Sequence, residues 1–135
     1  MVRTSPPPGS VLFVCTHNSA RSQLAAALWR ARTGSAARSA GTHPADHVHP
    51  GAVAAARRAG LTLEGTGPRY LDRAESADVV VTVCDRAHEE LAVDASWWHW
   101  SVPDPTSAAT EAAFDAAVTD LDHRISTLLE ASATP

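Results

Sequence analysis

A chain of 135 residues is one domain by length, and it can bury a core without disulfide or metal staples. Its net charge of −4 argues against a nucleic-acid footprint or an anionic-membrane surface, so any cationic function has to be local. All eleven basic residues are Arg, and the abundance of Ala inflates the 44% hydrophobic fraction.

Residues 1–10, with Pro6-Pro7-Pro8-Gly9, predict a flexible lead before a single domain over 11–135. The apolar run after that lead is too short for a signal-peptide core, and no stretch approaches a membrane span. Two cysteines are too few for a secreted disulfide framework, so a cytoplasmic protein is expected. Val11 to Val14 reads as a strand buried on both faces. Ser22 to Arg32 follows as a helix with Leu24, Leu28 and Ala31 on one face, ended by Thr33-Gly34. Ala36 to Ala40 is a weak second strand, Thr42 to Pro50 a loop, and a helix beginning near His49 runs to Ala59 with Gly60 as its cap. Tyr70 to Ala74 is expected to make a short helical turn. Asp78 to Val83 is the clearest strand and ends at Cys84. Asp85 to Leu91 reads as a helix and Trp97 to Trp100 as a last short strand. Trp97, Trp98 and Trp100 are expected in core and sheet-edge packing, with alternation setting Trp98 opposite its neighbours. Val102-Pro103-Asp104-Pro105 is a loop. From about Ala108, Phe114, Val118, Leu121, Ile125 and Leu128 mark one apolar helix face. Strands alternating with helices predict a doubly wound α/β three-layer sandwich with a parallel sheet.

The chemistry concentrates where the first strand ends. Cys15-Thr16-His17-Asn18-Ser19-Ala20-Arg21-Ser22 places a Cys at a strand end, five residues, an Arg and a Ser, and then a helix. Such a loop can curl its backbone N–H groups around an anion at the helix start. The same N–H groups and the Arg21 guanidinium favour a charged sulfur, so the Cys15 thiol, ordinarily titrating near about 8.5, is expected well below 7 as a nucleophile. Arg21 also matches two oxygens of a tetrahedral oxyanion with its planar fork. Cys84, past another strand end, falls where open α/β sheets build their sites. His17 is read as tuning the loop. His43, His47 and His49 are read as solvated loop residues, and no metal site is expected.

These residues resemble the low-molecular-weight protein tyrosine phosphatase superfamily, and within it the arsenate reductases of the same fold. The likeness covers nearly the whole chain, through the loop Cys15 to Ser22, the segment Ser39-Ala40-Gly41-Thr42 and Asp104-Pro105. It implies a four-stranded parallel sheet of the flavodoxin or Rossmann-like kind. It also implies Cys15 as nucleophile, Arg21 as oxyanion clamp, Asp104 as acid, and Asn18 and Ser22 as supports of the loop. Three features point towards the reductases. Thr106-Ser107-Ala108 stands where the phosphotyrosine enzymes carry aromatics that clamp a phenyl ring. Gln23 replaces their usual Pro. The segment Asp78 to Cys84 is similar to the reductase strand that ends at a second, redox-active cysteine. Leu91 stands where thioredoxin-linked members carry a third. The resemblance implies an arsenate or phosphate-like oxyanion as substrate and no bound cofactor, with an external thiol or thioredoxin-type reductant as redox partner. A phosphomonoester phosphatase needs only Cys15, Arg21 and Asp104, and an oxyanion-binding or redox-sensing module would not need Asp104.

Overall fold

The computed structural model describes residues 10–63, 65, 67–72, 77–91 and 97–133. The lead read over residues 1–10 therefore lies outside the described residues, except for Ser10. Four strands, β1 (Ser10–Cys15), β2 (Ala36–Gly41), β3 (Val79–Thr82) and β4 (Trp98–His99), form one sheet in the order β2-β1-β3-β4. All three pairings are parallel, with Cys15 opposite Gly41 and Val14 opposite Thr82. Every parallel connection crosses over, and the crossovers carry the helices α1 (Arg21–Thr33), α2 (Pro50–Arg58) and α3 (Asp85–Leu91). A single turn, α4 (Pro105–Ala108), and the long α5 (Glu111–Ala133) complete the chain.

β1 is central and apolar throughout because both of its faces are covered. Val11 and Phe13 face a core shared with Leu24, Leu28, Trp29, Phe114, Leu121 and Ile125, which α1 and α5 supply. Leu12 and Val14 face the opposite layer, closed by Leu71, Ala77, Val80 and Leu91. Phe13 lies between Trp29 and Trp100, at ring-centroid distances of 6.4 and 5.9 Å. Such tilted pairs add about 0.5–1.5 kcal/mol each beyond burial. Trp98 and Trp100, two residues apart, pack against this same core, as the period of two requires.

Several boundaries differ from the sequence expectation. Tyr70 makes no helical turn: it forms a parallel bridge to Gly41, while the Gly41 N–H donates to the Arg69 carbonyl and the Leu71 N–H to the Gly41 carbonyl. The edge of β2 offers unpaired backbone groups there, and that demand overrides a weak local preference. Residues 73 and 74 of the expected turn lie outside the described residues. Asp104-Pro105 opens α4, with Asp104 as its N-cap and Pro105 at the first position. Ala109 then turns left-handed at φ 55°, so α5 starts only at Glu111.

Candidate active site

The loop after β1 is shaped from outside. The carbonyls of Cys15, Thr16, His17 and Ser19 accept from the N–H groups of Thr42, His43, Ala45 and His49, at 2.7–3.1 Å. The Asn18 carbonyl accepts from Gln23 Nε2, and the Ala20 carbonyl from Leu24 in the first turn of α1. In a trans peptide the C=O of one residue and the N–H of the next point opposite ways. With the carbonyls turned outward, the N–H groups of residues 16 to 20 are left facing inward, an arrangement able to cradle an anion. The Asn18 N–H shows this directly by donating to Cys15 Sγ at 3.2 Å. Asn18 sits at φ 52°, a left-handed turn that Asn tolerates better than most residues.

Residues 42–49 can approach this closely because β2 ends in glycine. A Cβ on Gly41 would lie 2.6 Å from the Thr16 carbonyl oxygen and 3.0 Å from Asn18 Cβ. The sequence marks Gly41 as a strand end; its reason, a second backbone passing against it, appears only in three dimensions.

A largely buried relay fixes the Cys15 sulfur. The Arg69 N–H donates to Asn18 Oδ1 at 3.0 Å, which orients the amide so that Asn18 Nδ2 donates to Ser22 Oγ at 2.7 Å. Ser22 Oγ lies 2.9 Å from Cys15 Sγ; its hydroxyl donates to the sulfur when the sulfur is charged, and either group can donate when it is a thiol. Two donors on the sulfur favour its charged form. Burial nevertheless outweighs the Ser22 bonds and the more distant Arg21, with Cys84 adding to it, and pushes the Cys15 thiol above its ordinary range. The expected titration well below 7 is therefore not met, because a helix start and an Arg in the sequence do not reveal how dry the sulfur is.

Arg21 lies at the start of α1 and reaches across to the loop after β4. One guanidinium nitrogen donates to the Val102 carbonyl at 2.8 Å and the other stands 3.9 Å from Asp104 Oδ1. Oδ1 of Asp104 accepts from the Thr106 N–H at 2.9 Å and its hydroxyl at 2.7 Å. Burial opposes the charge on this carboxylate, yet Thr106, Arg21 and the exposed His17 together hold its pKa below the usual carboxylate value.

Cys84 ends the Val79–Val83 run and sits beside the same site. Its sulfur is 3.2 Å from the hydroxyl of Thr16 and accepts from the Ala87 N–H at 3.4 Å. A cavity of about 310 Å³ is lined by Thr16, Arg21, Cys84, Asp85, Ser101 and Asp104, with His17, Arg86, Val102 and Pro103. Among the described residues no Phe, Tyr or Trp lines it. Cys15, Ser19 and Ala20 line a narrower recess that also touches His17, Arg21, Asp104 and Thr106. The fold thus brings together all the residues singled out for chemistry: Cys15, Arg21, Cys84, Asp104 and the loop from Thr16 to Ser22.

Sequence reasoning missed the polar frame next to Cys84. Asp85 accepts from His99 Nε2 at 2.8 Å and from the Ser101 hydroxyl at 3.1 Å. His99 Nδ1 is 2.7 Å from the Thr82 hydroxyl, and its ring stacks on His88 at 4.2 Å between centroids. A strand-to-helix junction in Cys-Asp was the one local signal. The loop histidines go elsewhere: His43 pairs with Glu90 at 2.7 Å, and His49 caps α2 by accepting from the Gly51 N–H and lies against Phe114.

The profile of the low molecular weight phosphotyrosine protein phosphatases matches residues 10–134. The chain belongs to that family. A protein of Halobacterium salinarum named "Putative arsenate reductase" is 32% identical over 114 residues, spanning 73% of this chain and 76% of that protein. Among solved structures, the arsenate reductase of Archaeoglobus fulgidus is 28% identical with a TM-score of 0.76, covering 89% of this chain and 98% of its own. A thioredoxin-dependent arsenate reductase of Corynebacterium glutamicum is 26% identical with a TM-score of 0.70, covering 98% of this chain and 64% of the other. Family members therefore include phosphatases and arsenate reductases on one fold.

Proposed function

We propose that this protein is a cytoplasmic, thiol-dependent arsenate reductase. The observation that carries the reading is the second sulfur: Cys84 lines the cavity that Arg21 and Asp104 also line, and its Sγ meets the hydroxyl of Thr16 inside the anion loop. Phosphomonoester hydrolysis needs no second sulfur.

The cradle N–H groups and Arg21 hold the oxyanion. Cys15 Sγ attacks arsenic while Ser22 and the Asn18 N–H take up the charge that develops on sulfur. One arsenate hydroxyl leaves as water by taking up the thiol proton, which the ionised Asp104 carboxylate relays to that departing oxygen. Because burial favours a protonated thiol, the proton passes to the basic oxyanion during the attack. Cys84 Sγ then attacks Cys15 Sγ. The S–As bond breaks, its electron pair stays on arsenic, and the Cys84 proton completes arsenite; a Cys15–Cys84 disulfide remains. An external thiol or thioredoxin-type reductant reopens it, with no bound cofactor.

The test is Cys84→Ser. Arsenate reduction with excess reductant should fall to background, while hydrolysis of a small aryl phosphate stays within about twofold, since that reaction uses only Cys15, Arg21 and Asp104. Equal arsenate reduction by both proteins would refute the reading and leave a phosphatase.

A further inference from the structure

The cavity beside Cys84 is larger than one tetrahedral oxyanion needs, at about 310 Å³, and its outer wall takes no part in holding the anion. That wall is built from the first turn of α3. Asp85 is held in place by two hydrogen bonds, from His99 and from Ser101, and stays ionised because both bonds favour the carboxylate. Arg86, the next residue, supplies a cation on the same wall, with its Nε tied to Glu90 at 3.1 Å. Both sulfurs are buried, at 3% exposure for Cys15 and 2% for Cys84. Only Cys84 opens into the larger cavity; Cys15 opens into the narrow recess. The sequence holds no third cysteine to carry a disulfide outward.

We propose that this cavity is a binding site for a small zwitterionic aminothiol, which is the direct reductant, with Asp85 receiving its ammonium and Arg86 its carboxylate. This rests on the reductase reading, since it needs the Cys15–Cys84 disulfide. The thiolate of the bound aminothiol attacks Cys84 Sγ, the S–S bond breaks, and Cys15 leaves as a thiolate that takes the Ser22 hydroxyl and the Asn18 N–H as donors. A second aminothiol attacks the mixed disulfide on Cys84. The two aminothiols depart as their own disulfide, and Cys15 and Cys84 take up the two protons the aminothiols gave up, so both are thiols again. A folded dithiol protein would have to bring its sulfur to the buried Cys84 Sγ in a cavity that Pro103, Asp104 and Arg86 also line.

The experiment uses the full chain, oxidised chemically to the Cys15–Cys84 disulfide and checked by mass and loss of free thiols. The rate of thiol recovery is then measured with cysteine (zwitterion), 2-mercaptoethylamine (cation), 3-mercaptopropionate (anion), 2-mercaptoethanol (neutral) and a thioredoxin-type dithiol protein. Each rate is divided by that reagent's rate on an exposed model disulfide, which removes intrinsic thiol reactivity. Cysteine should exceed 2-mercaptoethanol by about threefold or more, the scale of partly exposed ion pairs. Asp85→Asn should remove the advantage of cysteine and 2-mercaptoethylamine and leave 3-mercaptopropionate unchanged. Arg86→Gln, at an exposed position that carries little folding risk, should do the converse. Normalised rates that are flat across the four small thiols, variants that change all four alike, or a dithiol protein that outpaces cysteine would overturn the proposal, as would failure of the oxidant to form the disulfide. A disulfide that forms with the oxidant but never with arsenate would instead overturn the reductase reading, while the thiol series still decides the aminothiol site.

Discussion

The two cysteines sit at equivalent places, each just past the carboxyl end of a parallel strand, but their surroundings are built in opposite ways. Around Cys15 every carbonyl from 15 to 20 is tied, four of them to the backbone of residues 42–49. The relay from Arg69 through Asn18 and Ser22 to the sulfur is largely buried. Around Cys84 the sulfur's contacts to the Thr16 hydroxyl and the Ala87 N–H and the carbonyl's bond from the His88 N–H are local to it, and the frame beyond is held by side-chain bonds at the surface: His99 and Ser101 to Asp85, Arg86 to Glu90, and Glu90 to His43. Exposed pairs of this kind are each worth about 0–1 kcal/mol. On the proposed function, the cradle for a tetrahedral anion is the heavily tied loop, whereas the sulfur that would move towards its partner precedes a short helix with weaker side-chain anchors.

The sharpest way to break the contrast is Cys15→Ser. Removing the nucleophile should take both arsenate reduction and aryl phosphate hydrolysis to background, since a hydroxyl is a far weaker nucleophile than a thiolate. Thermal unfolding should stay near that of the parent. Activity near the parent level would remove Cys15 from the chemistry.

Gly41→Ala tests the rigid side without touching the nucleophile. The new Cβ meets a backbone oxygen at 2.6 Å, so the loop must move by a few tenths of an ångström or more. Misplacement on this scale should lower kcat/KM by about a hundredfold, with a cost of about 1–3 kcal/mol in stability. Oxyanion affinity by calorimetry should fall in parallel. Undiminished oxyanion binding would show that the loop does not depend on residues 42–49.

Asp104→Asn separates positioning from proton donation. Aryl phosphate cleavage must expel a phenolate, so it should slow by about a hundredfold or somewhat less, while arsenate reduction, where arsenic exchanges oxygens readily, should suffer less. Equal losses in both assays would mean that Asp104 serves the loop through Thr106 and Arg21. Because its carboxyl is held below the ordinary value, its share of stability is present above the unfolded value and is lost as pH falls through the folded one. The parent should therefore lose more stability than Asp104→Asn on acidification.

Ser22→Ala should have the smallest effect. It removes the strongest influence lowering the Cys15 thiol, so the folded-state titration, already raised by burial, moves further up. A raised thiol contributes stability below its unfolded value and loses it as pH rises through the folded one. The pH dependence of alkylation should shift to higher pH, with the rate at neutral pH down by about tenfold, the scale of one bond to a charged acceptor. An unshifted profile would mean that the Asn18 N–H alone holds the sulfur.

Local sequence determined the parts of this protein that depend on near neighbours. The apolar run Val11 to Val14 reads as a strand covered on both faces, and a Cys at its end followed by Arg21 and Ser22 at a helix start marked the site within eight residues, where the structure also places it. The recurrence of Phe114, Leu121 and Ile125 likewise fixed α5. Tertiary structure decided whatever required distant segments to meet. It turned the expected helical turn at Tyr70 into a bridge to Gly41, because a strand edge needed its backbone groups satisfied. It raised the Cys15 thiol that local sequence predicts to be lowered, because dryness is a property of the packed core. It also set Cys84 against Thr16 across 68 positions of chain, a contact that no spacing could announce.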